Sequence, residues 1–313
     1  MTNRHIGNFP ADYGDFVAAA AASSSGDTWV VDTAQTYAAQ DLSAYSALSN
    51  ITVRDTVAGD YVCELDTSSL YALSVGPGWE WTHGTIEADI NTPVYAGAGC
   101  TVVFTGVTFD LSKRLPAQAM AWSRGAGASI TMSGCRFTGD ADTNATGIVL
   151  CRDGGAAVVE NCYLEPQIVP SIGAYRVFSG TCELSVRGCN SASADLVVVT
   201  AGATVSTLTV QGSYAPHLVT NGGTITAFDG ADNVYDTTDA GTTGTRDTDG
   251  VTDFDVDENG AAWPTSPLYR KCPAGVQYGG NYDALGNPRQ RGGRQDCGPV
   301  QNQRIGPPLR VAI

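Results

Sequence analysis

The residues best suited to hold an ion lie in "DVDENG", where Asp255, Asp257, Asn259 and Gly260 follow the D-x-D-x-N-G order of a calcium loop. In that order alternate side-chain oxygens converge on the cation and the glycine permits the sharp turn. Asp253 stands two residues upstream, Asp247 and Asp249 add charge, and the twelfth place, where a bidentate Glu is expected, is Ser266. The sequence demands no cofactor; calcium, with Asp253, Asp255, Asp257 and Asn259 as ligands, is the one it offers, against the plainer alternative of a hydrated acidic loop.

A second pattern is made by sulfur. Cys135, Cys162 and Cys189, in "SGCRF", "ENCYL" and "RGCNS", are 27 residues apart at each step. Zinc sites pair ligands two to four residues apart and commonly add histidine, which is not near here. Stacked, parallel Cβ vectors suit the disulfide dihedral poorly. The spacing therefore favours buried, reduced thiols marking a structural repeat.

Polysaccharide-cleaving chemistry needs two or three carboxylates on one face. The outward candidates are Asp110, Asp140, Asp142, Arg152, Asp153, Glu160, Glu165, Glu183 and Arg187. No two acids occupy corresponding places of successive repeats in this reading. Glu160 and Arg187 do correspond, each two residues before a repeat cysteine, and are expected to form a surface ion pair. His5, His83 and His217 lie in separate segments, with no nucleophile motif beside them. No catalytic residue is assigned. Trp79 and Trp81 alternate in "GWEWTH" and share one strand face, either open for stacking on sugar rings or buried against the chain.

The elements that position these groups follow from a sentence written six times between residues 99 and 233: glycine, a short β-rich run, a small turn residue, a second short apolar run. The copies begin at residues 99, 127, 155, 180, 202 and 222. A unit of this size cannot bury its apolar face alone and must stack on copies of itself. The predicted fold is all-β: a right-handed parallel β-helix in which Val107, Cys135, Cys162, Cys189 and Ser213 form an interior ladder. Residues 1–35 read as an N-terminal capping segment, with a helix capped by Asp12, carrying Tyr13, Phe16 and Val17 on one face and stopped by Gly26. Residues 36–230 read as the solenoid and residues 231–313 as a loop-rich C-terminal segment, whose tail needs a surface to lie on.

Of the 313 residues, 17 are Lys or Arg and 32 are Asp or Glu, for a net charge of −15. That balance excludes phosphate backbones as partners and disfavours anionic membranes. No stretch is apolar enough for a membrane span and the N-terminus lacks the basic and apolar regions of a secretion signal, so a soluble chain is expected.

The opening "RHIGNFPADYGDFVAAAAASSSGDTWVV", the repeats "GASITMSGCRF" and "GAAVVENCYL", and the closing "AGVQYGGNYDALGNPRQRGGRQDCGPVQ" resemble the pectate-lyase-like parallel β-helix proteins of tailed viruses. Asp283, Gly286, Pro288, Arg289, Asp296 and Gly298 match a D-x-x-G-x-P-R…D-I-G ending common among them, while Cys297 and Pro299 depart from it. The resemblance implies a virion structural protein: a capsid decoration, turret or tail-associated projection on the particle surface. Its implied partners are other virion proteins and further copies of itself, a trimer being favoured, with host surface glycan as another. The alternative is a tailspike-like glycan-binding or polysaccharide-degrading protein, a lyase or glycoside hydrolase if an enzyme at all.

Overall fold

The computed structural model describes residues 2–7, 12–66, 71–88, 93–112, 119–139, 147–170, 172–191, 194–257, 261–269, 271–274, 276–278, 283 and 295–301. Asp140, Asp142, Asn259, Gly286, Pro288 and Arg289 lie outside the described residues.

The chain winds into a parallel β-helix with three long faces. The first is an eleven-stranded sheet whose main path begins with Asn3–Ile6 and ends with Thr224–Ile225. The second has six strands and the third seven. All their strand pairings are parallel, between residues roughly one repeat apart, as in Val102↔Ile130 and Ile130↔Ala157. Alternation does the rest: in the strand Ser129–Ser133, Ile130 and Met132 are buried while their neighbours are half-exposed. Columns such as Phe104, Met132, Val159, Val186 and Val210 thereby fill the interior, each fully buried. Each such side chain contributes about 1.5–3 kcal/mol by leaving water.

The turn from first to second face is made by one residue with left-handed backbone. Gly106, Gly134, Asn161, Gly188, Gly212 and Asp232 occupy this place in successive rungs, with φ between 54° and 64°. Only glycine, or a short polar side chain such as Asn or Asp, adopts that conformation cheaply. The amides of Gly106, Gly134 and Asn161 each donate to a carbonyl of the next rung, at 2.8–2.9 Å. The following residue is thrown inward, so that Val107, Cys135, Cys162, Cys189 and Ser213 are all 0 % exposed. The expected ladder is present, and Asn233, also fully buried, extends it, donating to the Val210 carbonyl at 2.8 Å. All nine cysteines are free thiols.

The N-terminal helix is shorter than the sequence suggests. It spans Phe16–Ala22 and its cap is Asp15, not Asp12, with Asp15 Oδ1 accepting the Ala18 amide at 2.7 Å. Tyr13 lies outside it, in a bridge to Ile6, and the helix stops at Ser23, before Gly26. Asp15 wins because its extended backbone aims its carboxylate at the first turn, whereas Asp12 is three residues too early. Phe16 nonetheless faces inward as expected. It packs on Trp29, Tyr37, Tyr61 and Trp81, with ring centroids 5.3–6.4 Å away. The Gln40 side-chain carbonyl accepts the Phe16 amide at 3.0 Å and the Val17 amide at 3.2 Å, joining the helix to the stack.

The stack extends into both flanking segments. Asn3–Ile6 is already its first strand, and the strands Phe228–Ala231 and Val234–Thr237 continue beyond residue 230, followed by bridges to Thr245 and Thr248. The C-terminal segment then folds back. Asp232, with a fully buried side chain, receives both Nε and Nη2 of Arg246 at 2.8 and 2.6 Å and the Tyr278 hydroxyl at 2.5 Å. Cys297 donates to the Ser213 carbonyl at 3.0 Å and the Gly298 amide to Gly212 at 2.7 Å. Residues 295–301 are all buried, so this part of the tail lies against the last rungs.

Candidate functional site

The outer surface of the third face collects aromatic and arginine side chains from five consecutive rungs. Its backbone register sets Tyr95 beside Trp122, Trp122 beside Leu150, Leu150 beside Arg176 and Arg176 beside Val198. One step along the same strands, Arg124 is level with Arg152. Because alternate residues point outward, these side chains share one surface. Tyr71 stacks on Tyr95 at 4.1 Å and 11°, and its edge meets Trp122 at 6.1 Å. Arg152 lies over Trp122 at 5.8 Å and Phe178 at 5.2 Å, and Arg176 lies over Phe178 at 4.7 Å.

The three arginines differ in their counter-charges. Arg124 and Arg152 both reach Asp153, at 3.2 and 3.0 Å. Asp153 is itself held by a hydrogen bond from Ser179 at 2.8 Å, and this bond together with the two guanidiniums keeps its carboxyl below the usual range despite some burial. Arg176 has no carboxylate partner among the described residues. It is 7 % exposed, its Nε is buried without an acceptor, and burial pulls its pKa down. Trp122 Nε1, two rungs away, is likewise buried without an acceptor. Charge-bearing donors are normally paired when buried. At the corner beside Asp153 an open hollow of about 350 Å³ is lined by Gly127, Gly154, Gly155, Cys182, Glu183 and Ser206. Its one thiol, Cys182, is pushed up by burial and stays protonated at neutral pH.

The second face carries a feature the repeat reading overlooked. Glu64, Glu87 and Asp110 are in direct register on three successive rungs, each 23 residues from the last. Carboxylates at corresponding places therefore exist, contrary to the sequence expectation. The interval is constant at 23 residues, but the corners of these rungs lack the regular glycine-and-cysteine pattern that marks the later ones. All three are half-buried.

The other candidates are dispersed. Glu160 and Arg187 form the expected pair at 2.9 Å, and Arg136 pairs with Glu165 at 2.6 Å. Trp79 and Trp81 are 1 % exposed and serve the core: Trp79 meets Trp29 at 5.4 Å and Trp81 stacks on Phe16, so neither is open to a sugar. The Cys162 thiol sits between Cys135 and Cys189 and is pushed well above its ordinary pKa by burial and by those neighbours, which fits packing rather than metal ligation.

In the acidic loop, Asp253 accepts the Asp255 amide at 3.0 Å, Asp255 accepts the Thr265 hydroxyl at 2.5 Å and Asp257 accepts the Ala261 amide at 3.0 Å. Ser266, at the twelfth place, donates to the Phe254 carbonyl at 2.6 Å. These carboxylates brace the loop itself, and among the described residues no three His, Cys, Asp or Glu side chains converge as an ion site. Searches against protein-family models, curated proteins and solved structures return no match for this chain.

Proposed function

We propose that this chain is a structural component of a tailed-virus particle, a rigid projection or decoration on the capsid or tail that docks to other virion proteins and to copies of itself, a trimer being the favoured assembly. The observation that carries this reading is a stack fastened at both ends. Ten strands in line on the first face span nine steps, about 43 Å at roughly 4.8 Å per step. Phe16 plugs one end, and the Asp232–Arg246–Tyr278 cluster ties the C-terminal segment across the other. Covered ends also protect the strand edges from pairing with strangers. The opening and closing segments resemble β-helix proteins of tailed viruses; the first supplies Phe16 and the second Tyr278 to these fastenings. Peptide mass spectrometry of purified particles is expected to find the chain in stoichiometric amount in capsid or tail fractions; its confinement to the soluble lysate would refute the reading.

The acidic ladder favours one second reading, cleavage of a polysaccharide. The register sets the backbone of Glu87 one strand step, about 4.8 Å, from Glu64 on one side and from Asp110 on the other, a spacing suited to the close carboxylate pair of a retaining glycosidase. Release of reducing ends from host polysaccharide, lost in Glu87→Gln, would establish it.

A further inference from the structure

The third face offers buried hydrogen-bond donors with no acceptor to receive them. Trp122 Nε1 and Arg176 Nε are both buried and unsatisfied, on side chains separated by Leu150 in the register. Arg176 is the stronger anomaly, because a guanidinium with its Nε buried and no carboxylate among the described residues costs more than a neutral donor, and the contact it makes there is with the ring of Phe178. The aromatic rings here are already engaged: Tyr71 with Tyr95, Trp122 with Arg152, Phe178 with both Arg152 and Arg176. What this surface lacks is an acceptor, not a stacking partner. Around it, Phe178 is 37 % exposed and Leu150 and Val198 flank Arg176 in the register, so the missing group arrives with apolar surface beside it.

We propose that the third face around Arg176 is a docking site for an acidic segment of a partner polypeptide, one carboxylate pairing with the Arg176 guanidinium while an adjacent aliphatic side chain lies on Phe178. Charge complementarity selects an acid. Engaged rings and the apolar flank select a polypeptide over a sugar chain, a choice that rests on the assembly reading above. Tyrosine, tryptophan and arginine are also the residues that dominate binding energy at protein interfaces.

The test uses the full chain labelled with ¹⁵N and follows the Arg176 Nε–H resonance. The probes are the peptide acetyl-Val-Asp-Leu-Asp-Val-amide, its asparagine counterpart and an oligoglucuronate. The expected result is a saturable shift with the aspartate peptide and at least about tenfold weaker binding of the asparagine peptide, reflecting loss of a charge-assisted pair. Arg176→Met is expected to lose the binding and to melt no lower than the parent chain, since an apolar residue of similar length suits a site with no carboxylate. A lower melting point for Arg176→Met would make the arginine a packing element and overturn the proposal. So would a resonance unmoved by peptide at about 10 mM, or one moved by oligoglucuronate alone. Peptide binding by a chain absent from particles would overturn the assembly reading instead and leave this site standing.

Discussion

Replacing Cys162 by aspartate puts the interior ladder to its hardest test. The residue is 0 % exposed, and its sulfur faces the carbonyl oxygens of Met132 at 3.6 Å and Glu160 at 3.4 Å. A thiol donates weakly to both; a carboxylate would face two acceptors and two neighbouring thiols with no cation in reach. The aspartate therefore stays protonated in the folded chain. Holding it neutral at pH 7, against an unfolded pKa near 3.9, costs about 3 pKa units, or about 4 kcal/mol. The folded pKa is raised, so the sign is fixed: the deficit is absent below about pH 4 and grows by about 1.4 kcal/mol per pH unit as pH rises towards the folded pKa. Cys162→Ser is the control. Ser213 fills the same place two rungs on, donating to its own strand at 3.1 Å, so the serine variant is expected within about 1 kcal/mol of the parent. Urea denaturation of both variants and the parent, followed by tryptophan fluorescence between pH 4 and pH 7, measures the difference. An aspartate variant as stable as the parent at pH 7, or one whose deficit does not change with pH, refutes the buried-ladder argument.

Arg246→Met leaves the buried Asp232 carboxylate with the Tyr278 hydroxyl as its remaining side-chain donor, at a cost of about 3 kcal/mol, and limited proteolysis is expected to release the segment beyond residue 250 before the solenoid. At the other end, burial pushes Asp27 up, but amide bonds from Ser24 and Thr2 and the Arg4 guanidinium outweigh it and hold its carboxyl below the usual range. A depressed folded pKa gives stability that is present above about pH 4 and lost as pH falls through the lowered value. The protection of the Thr2 amide against exchange, taken relative to its intrinsic rate at each pH, is therefore expected to fall first on acidification, and Asp27→Asn to show that low protection already at pH 6.

The solenoid was legible because its physics is one-dimensional. A rung repeats the same demands, a left-handed corner followed by a small inward residue and an alternating strand, so Gly134, Asn161 and Gly188 with their following cysteines announce the register in spacing alone. The pairing of Glu160 with Arg187 followed from the same arithmetic. The cap lies three residues beyond the one the sequence suggests, because Asp12 and Asp15 are both good caps and the local backbone decides which carboxylate meets the first turn.

What the sequence determined by itself was the interval, hence the fold and the dry column of thiols. Only the tertiary structure decided which outward residues become neighbours. The rungs differ in loop length, so Trp122, Leu150 and Arg176 on one face, and Glu64, Glu87 and Asp110 on another, meet through hydrogen-bonded register. Whether a tryptophan is a platform or a core residue, and whether a buried arginine has an acid beside it, depends on what lies one rung above and below. Those contacts are set by stacking, and no single rung contains them.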